Sequence, residues 1–71
     1  MADLMILRRS RDGEKDYDVL VANLHAARWN AAWVLQDEIG LTRLQAFQIG
    51  DGLAVDTPLE SHGFTWTLVP W

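Results

Sequence analysis

The feature that most constrains this chain is the run LHAARWNAAWVLQDEI, residues 24 to 39, which contains no glycine or proline between Asn23 and Gly40. It is rich in residues that lose little entropy in a helix. Asn23 is a good N-cap, and Gly40 can take the left-handed conformation that ends a helix. Stepping 100° per residue, Leu24, Ala27, Ala31, Val34, Leu35 and Ile39 gather on one side, flanked by Ala32, and this side is expected to face a sheet. Trp29 and Trp33 stand one turn apart on nearly the opposite side, beside His25 and Gln36.

The sheet is expected from both flanks. In LMILRRSRDGEKDYDVLVAN the pair Asp12-Gly13 suits a two-residue turn between two β-rich runs. That turn sets Arg11 opposite Glu14, Arg9 opposite Asp16, Ile6 opposite Val19 and Leu4 opposite Val21. Leu4, Ile6, Tyr17, Val19 and Val21 are then expected to point at the core. Near the C-terminus FTWTLV alternates strictly, with Phe64, Trp66 and Leu68 on one face, and Pro70 is expected to stop the strand. LAV at 53 to 55 reads as a short strand. TPLE at 57 to 60 has the pattern of a capping box opening a helical turn, which Gly63 can end.

The stretch TRLQAFQI, 42 to 49, admits two readings. As a strand, Leu44 and Ala46 lie on one face and Phe47 and Ile49 on the other, the pattern of a strand covered on both sides. As a helix capped by Thr42, it becomes the second element of a helix-turn-helix about Gly40, presenting Thr42, Arg43, Gln45 and Gln48 to a DNA groove. Gln36 stands where that motif favours a small residue, and Arg43 is the sole cation of the segment. The strand is the preferred reading. The expected architecture is a single α+β domain, 1–71, in which a small antiparallel sheet of order β-β-α-β-β-β packs on one long helix.

A domain of 71 residues buries a thin core and commonly needs a staple. There is no cysteine, which excludes a disulfide, and His25 and His62 are far apart in sequence. Dense packing or self-association remains, and four tryptophans suit either. The net charge of -4 disfavours a phosphate-binding surface, because such binding rests on Lys and Arg releasing counterions. No stretch approaches the ~20 apolar residues of a membrane span, and the start of the chain lacks the basic-then-apolar pattern of a signal peptide, so a cytoplasmic protein is expected.

For catalysis the sequence offers no Gly-rich phosphate loop, HExxH or paired Cys, and Ser61-His62 are adjacent, so their side chains are expected to diverge. No enzyme activity, cofactor, metal or small-molecule substrate is inferred. Two surfaces stand out for binding. Glu14, Asp16 and Asp18 recur at every second position and would form an acidic stripe on a strand, opposed by Arg8, Arg9 and Arg11 on the same hairpin. Trp29 and Trp33, together with Trp71, would form an apolar face fit for a protein partner or a second copy, unless the C-terminal segment covers it as an aromatic core with Trp66. The function expected is a non-enzymatic protein-binding module, an accessory regulator or inhibitor of bacterial or phage type or a homodimer. The alternatives are a small DNA-binding regulator and a structural subunit of a larger assembly.

Overall fold

The computed structural model describes residues 4–71; the first three residues of the expected domain lie outside the described residues. The elements are β1 (Met5–Arg11), β2 (Tyr17–Val21), α1 (Leu24–Val34) continued by a π-helical turn (Leu35–Ile39), α2 (Arg43–Gly50), β3 (Leu59–Ser61) and β4 (Phe64–Pro70). The strands form one antiparallel sheet in the order β2-β1-β4-β3. The α+β class and the long helix on an antiparallel sheet are as expected, but the element order is corrected to β-β-α-α-β-β.

The largest correction is at 42–49, which is helical rather than extended. Thr42 caps α2 through both halves of a capping box: Gln45 N–H donates to Thr42 Oγ1 at 3.2 Å, and Thr42 N–H donates to Gln45 Oε1 at 3.2 Å. Leu44 and Phe47, assigned to opposite faces of a strand, become i,i+3 neighbours on one side of a helix. Ala46 and Gly50 turn inward instead and let α2 lie close on α1. A Cβ built on Gly50 would meet the Arg28 carbonyl oxygen at 2.9 Å and the Ala32 Cβ at 3.5 Å. The reversal between the helices rests on Gly40 at φ 84°, with the Gly40 and Leu41 amides both donating to the Leu35 carbonyl.

The N-terminal hairpin forms one residue out of the expected register. Arg9 pairs with Tyr17, Leu7 with Val19 and Met5 with Val21. A two-residue turn of the expected type needs positive φ at both central positions, whereas here Gly13 has φ 80° and Asp12 is not in that region. The Glu14 amide instead closes on the Arg11 carbonyl at 3.1 Å, and residues 12–16 form a longer loop. Because side chains alternate, the change turns β1 over: Met5 and Leu7 face the core, and Leu4 and Ile6 face away. Tyr17, Val19 and Val21 remain on the inner side as expected.

The two C-terminal hairpin elements also trade places with expectation. LAV contributes only an isolated bridge, Ala54 to Thr57, and TPLE opens no helix, since Leu59–Ser61 pairs with β4. The two-residue turn of positive φ occurs at His62 (53°) and Gly63 (84°), between Ser61 and Phe64. β4 alternates as read and extends through Pro70. Phe64, Trp66 and Leu68 are buried with Leu7, Val21, Ala27, Ala31, Ala32, Leu35, Ala46 and Leu53. The core therefore lies between the inner face of the sheet and the alanine-lined side of α1. The small alanines bring the helix backbone near the sheet, and the large aromatics of β4 fill the space.

Candidate protein-binding surface

The outer side of the helical layer carries the candidate surface. Asn23 accepts the Ala26 amide at 2.8 Å and fixes the start of α1; Ala27, Ala31 and Ala32 are buried, so the opposite face is turned away from the sheet. Trp29 and Trp33 stand there with ring centroids 6.1 Å apart. Trp29 also meets Phe47 of α2 edge-on at 5.1 Å, and Leu44 lies one turn before Phe47 on the same side of α2. Trp29 is 38% exposed, Trp33 47% and Leu44 68%. Trp29 is thus propped by α2, and Trp33 by Trp29, without either being covered. The C-terminal segment does not seal them: Trp66 is fully buried on the sheet, stacked on Phe64 at 5.3 Å.

Trp71 belongs elsewhere. Its amide donates to the Leu4 carbonyl at 3.2 Å, continuing the β1–β4 ladder, and alternation puts it with Val69 on the outer side of the sheet. Ile6 is paired there with Leu20 on one side and Val69 on the other. Leu4, Leu20, Val69 and Trp71 are all exposed, so the uncovered sheet face has an apolar end of its own. Its other end is polar, where Arg8 Nε and Nη2 donate to the two Asp18 carboxylate oxygens at 2.8 and 2.9 Å. This two-point bond holds the Asp18 carboxyl below its usual range and raises the Arg8 guanidinium further above its own.

The acidic stripe does not assemble. Glu14 and Asp16 lie in the loop before β2, and only Asp18 is on the strand. Arg8 also approaches Asp16 at 3.9 Å, and Arg11 approaches Glu14 at 4.0 Å, so the hairpin's charges are largely opposed. Arg9, on the inner side of β1, has its guanidinium 5.0 Å from the Tyr17 ring centroid and 5.6 Å from that of Phe64, and reaches Glu38 at 4.0 Å.

Thr42, Arg43, Gln45 and Gln48 are all exposed on α2. Gln45 is occupied by the capping box, and the exposed surface they share includes Leu44. Ser61 and His62, expected to diverge, instead share a hydrogen bond between Oγ and Nδ1 at 2.7 Å, at a turn where His62 has left-handed backbone. The pair is beside Asp12 and Glu60 in an open depression at the β3–β4 turn. Among the described residues no three His, Asp or Glu side chains gather as a metal-ligand set, and no helix is long and apolar enough to cross a membrane.

Phe47 and Leu44 are the members of the helical surface that the extended reading of 42–49 concealed. Their i,i+3 spacing, and the Thr42–Gln45 cap before them, carried the signal. Comparison with known protein families, with characterised proteins and with solved structures gives no match for this chain.

Proposed function

We propose that the protein is a non-enzymatic binding module, an accessory regulator or inhibitor, that engages another protein through the α1–α2 face formed by Trp29, Trp33, Leu44 and Phe47. The observation that carries this reading is a pair of half-exposed tryptophans, Trp29 packed edge-on against Phe47 and Trp33 against Trp29. Rings fixed in place lose little entropy on binding, and large aromatic side chains are the residues that most often dominate a binding interface. From the exposed fractions of Trp29, Trp33 and Leu44, the face offers on the order of 300 Å² of largely apolar surface, a patch size that in monomers is often functional. The test is comparative capture from the native host. Trp33→Ser with Leu44→Gln is expected to lose a partner that the wild type retains and that a sheet-face variant, Leu20→Thr with Val69→Thr, also retains. Equal recovery by all three proteins would refute the reading.

A second reading is favoured by the helical state of 42–49: a small DNA-binding regulator using Thr42, Arg43, Gln45 and Gln48. The turn at Gly40 and the capped second helix have the required order. Against it stands charge, since Arg43 is the only cation of α2 and Asp37, Glu38 and Asp51 lie at the helix ends. Fluorescence anisotropy with a labelled duplex separates the two readings. Binding that weakens steeply with salt and is lost in Arg43→Ala would support the DNA reading, and absence of binding at low salt would remove it.

A further inference from the structure

The helices pack on the inner face of the sheet, and no described element covers the outer one. Its side chains form rows across the strands. Ile6 pairs with Leu20 of β2 and with Val69 of β4, which makes one apolar row, and the next row holds Leu4 and Trp71. On the other side of the Ile6 row stand Asp18, Arg8 and Thr67. Leu4, Leu20, Val69 and Trp71 are between 39% and 73% exposed, so the two apolar rows offer on the order of 400 Å². The water-facing side of an antiparallel sheet is ordinarily polar, and here only one end of it is.

The distribution of charge suits a second copy of the same chain. Two chains of net charge -4 repel unless they meet where no charge is left unopposed. The two apolar rows carry none. In the row beside them Arg8 is bonded at two points to Asp18 and lies 3.9 Å from Asp16. The other carboxylates near this face are Glu60 on β3 and Asp56, whose amide donates to the Leu68 carbonyl at 3.3 Å, and both lie beyond β4 on the side away from β1.

We infer that the outer sheet face is the interface of a homodimer, with two sheets packed face to face about a two-fold axis that runs along β1. The axis reverses the strand order, so β1 lies over β1 and β2 over β4 of the second copy. Leu20 then rests on Val69, Ile6 on Ile6 and Leu4 on Leu4, while the large Trp71 falls where the small Ala22 follows β2. Arg8 faces its own counterpart, each neutralised by its Asp18. β3 overhangs the three overlapped strands, which leaves Glu60 and Asp56 in water. With the Asp18, Arg8 and Thr67 row added, the pair buries roughly 1,200 Å², the lower bound of stable interfaces. An axis across the strands keeps apolar on apolar over two rows alone and buries less. The dimer gives a domain with a thin core a second one between its sheets. It leaves the α1–α2 face free.

Sedimentation equilibrium of the full chain from about 1 μM to 1 mM tests the inference. The wild type is expected to become dimeric within that range. Trp33→Ser with Leu44→Gln should dimerise equally, whereas Leu20→Thr with Val69→Thr should raise the dissociation constant at least tenfold. These side chains are exposed in the single chain, so circular dichroism should show every variant folded. Leu20→Lys and Val69→Glu test the register. Each alone should be monomeric, and their mixture should recover a dimer, because the new ammonium of one chain meets the new carboxylate of the other while the remaining Leu20–Val69 contact is kept. A wild type that stays monomeric throughout would overturn the inference, as would a dimer lost with the Trp33 and Leu44 substitutions but kept with those at Leu20 and Val69. A mixture that stays monomeric would overturn it too.

Discussion

Replacing Gly50 by alanine sets helix propensity directly against packing. Alanine in a helix interior is favoured over glycine by about 0.8–1 kcal/mol, and Gly50 is the last residue of α2, so at most part of that gain is available. Its φ is not in the left-handed region, so alanine is permitted by the backbone. The added Cβ, however, meets the Arg28 carbonyl at 2.9 Å. That oxygen belongs to the α1 backbone and cannot rotate away, so α2 must withdraw by several tenths of an ångström. Withdrawal loosens buried Ala46 and the Phe47–Trp29 contact together. Overpacking of this kind costs about 1–3 kcal/mol, which exceeds the propensity gain and gives a net loss of roughly 1–2 kcal/mol. In a domain of this size that lowers Tm by about 4–8 °C per kcal/mol. Urea unfolding followed by tryptophan fluorescence, with Gln48→Ala as an exposed control on the same helix, measures the difference. A Gly50→Ala protein as stable as the wild type, with unchanged tryptophan emission, would show that the helices are not in contact at this point and would remove the support beneath Trp29.

Other outcomes are fixed by equally local geometry. His62 occupies a left-handed position that costs an ordinary L-residue roughly 1–2 kcal/mol and that asparagine tolerates, so His62→Asn should stabilise by about 0.5 kcal/mol after loss of the exposed Ser61 bond; a loss of stability would refute the turn assignment. The Trp66 indole N–H is buried with no acceptor among the described residues, a deficit of about 1–3 kcal/mol that offsets much of the apolar loss in Trp66→Phe. That variant should fall within about 1 kcal/mol of the wild type, whereas Leu68→Ala should lose about 2–5 kcal/mol; a Trp66→Phe loss above about 2 kcal/mol would mean the N–H is satisfied. Asp18 has a carboxyl held below its unfolded range by Arg8, so its contribution is present above the ordinary carboxylate pKa and disappears as pH falls through the lower folded value. The stability difference between wild type and Asp18→Asn should therefore close on acidification and shrink in high salt; a difference constant down to about pH 2 would refute the ion pair.

Much of the fold is legible where local chemistry and burial agree. The Asn23 cap, the alanine face of α1, the Gly40 stop and the alternation of Phe64, Trp66 and Leu68 all follow from periodicity. Legibility fails where two local signals compete. Thr42-Arg43-Leu44-Gln45 and Thr57-Pro58-Leu59-Glu60 both have the form of a capping box, yet the first opens α2 and the second leads into β3. The difference lies in what each segment can pack against. Ala46 and Gly50 give α2 a small-residue face that fits against Ala32, while Leu59 is drawn into the ladder beside Trp66. The candidate surface is legible in half: Trp29 and Trp33 follow from the helix, but Leu44 and Phe47 join them only when 42–49 is helical.

The sequence by itself determined the α+β class, the long helix with opposed apolar flanks, the strict inner face of β4 and the absence of any disulfide, because each follows from residue type and spacing along one element. Only the tertiary structure decided the register of the N-terminal hairpin, the helical state of 42–49 and the separation of Trp71 from Trp29 and Trp33. These depend on which turn backbone closes, which small residues permit close approach and which strand lies beside which. Such choices are made between distant segments, and the competing local preferences differ by about 1 kcal/mol or less per residue, too little to settle them before the chain packs.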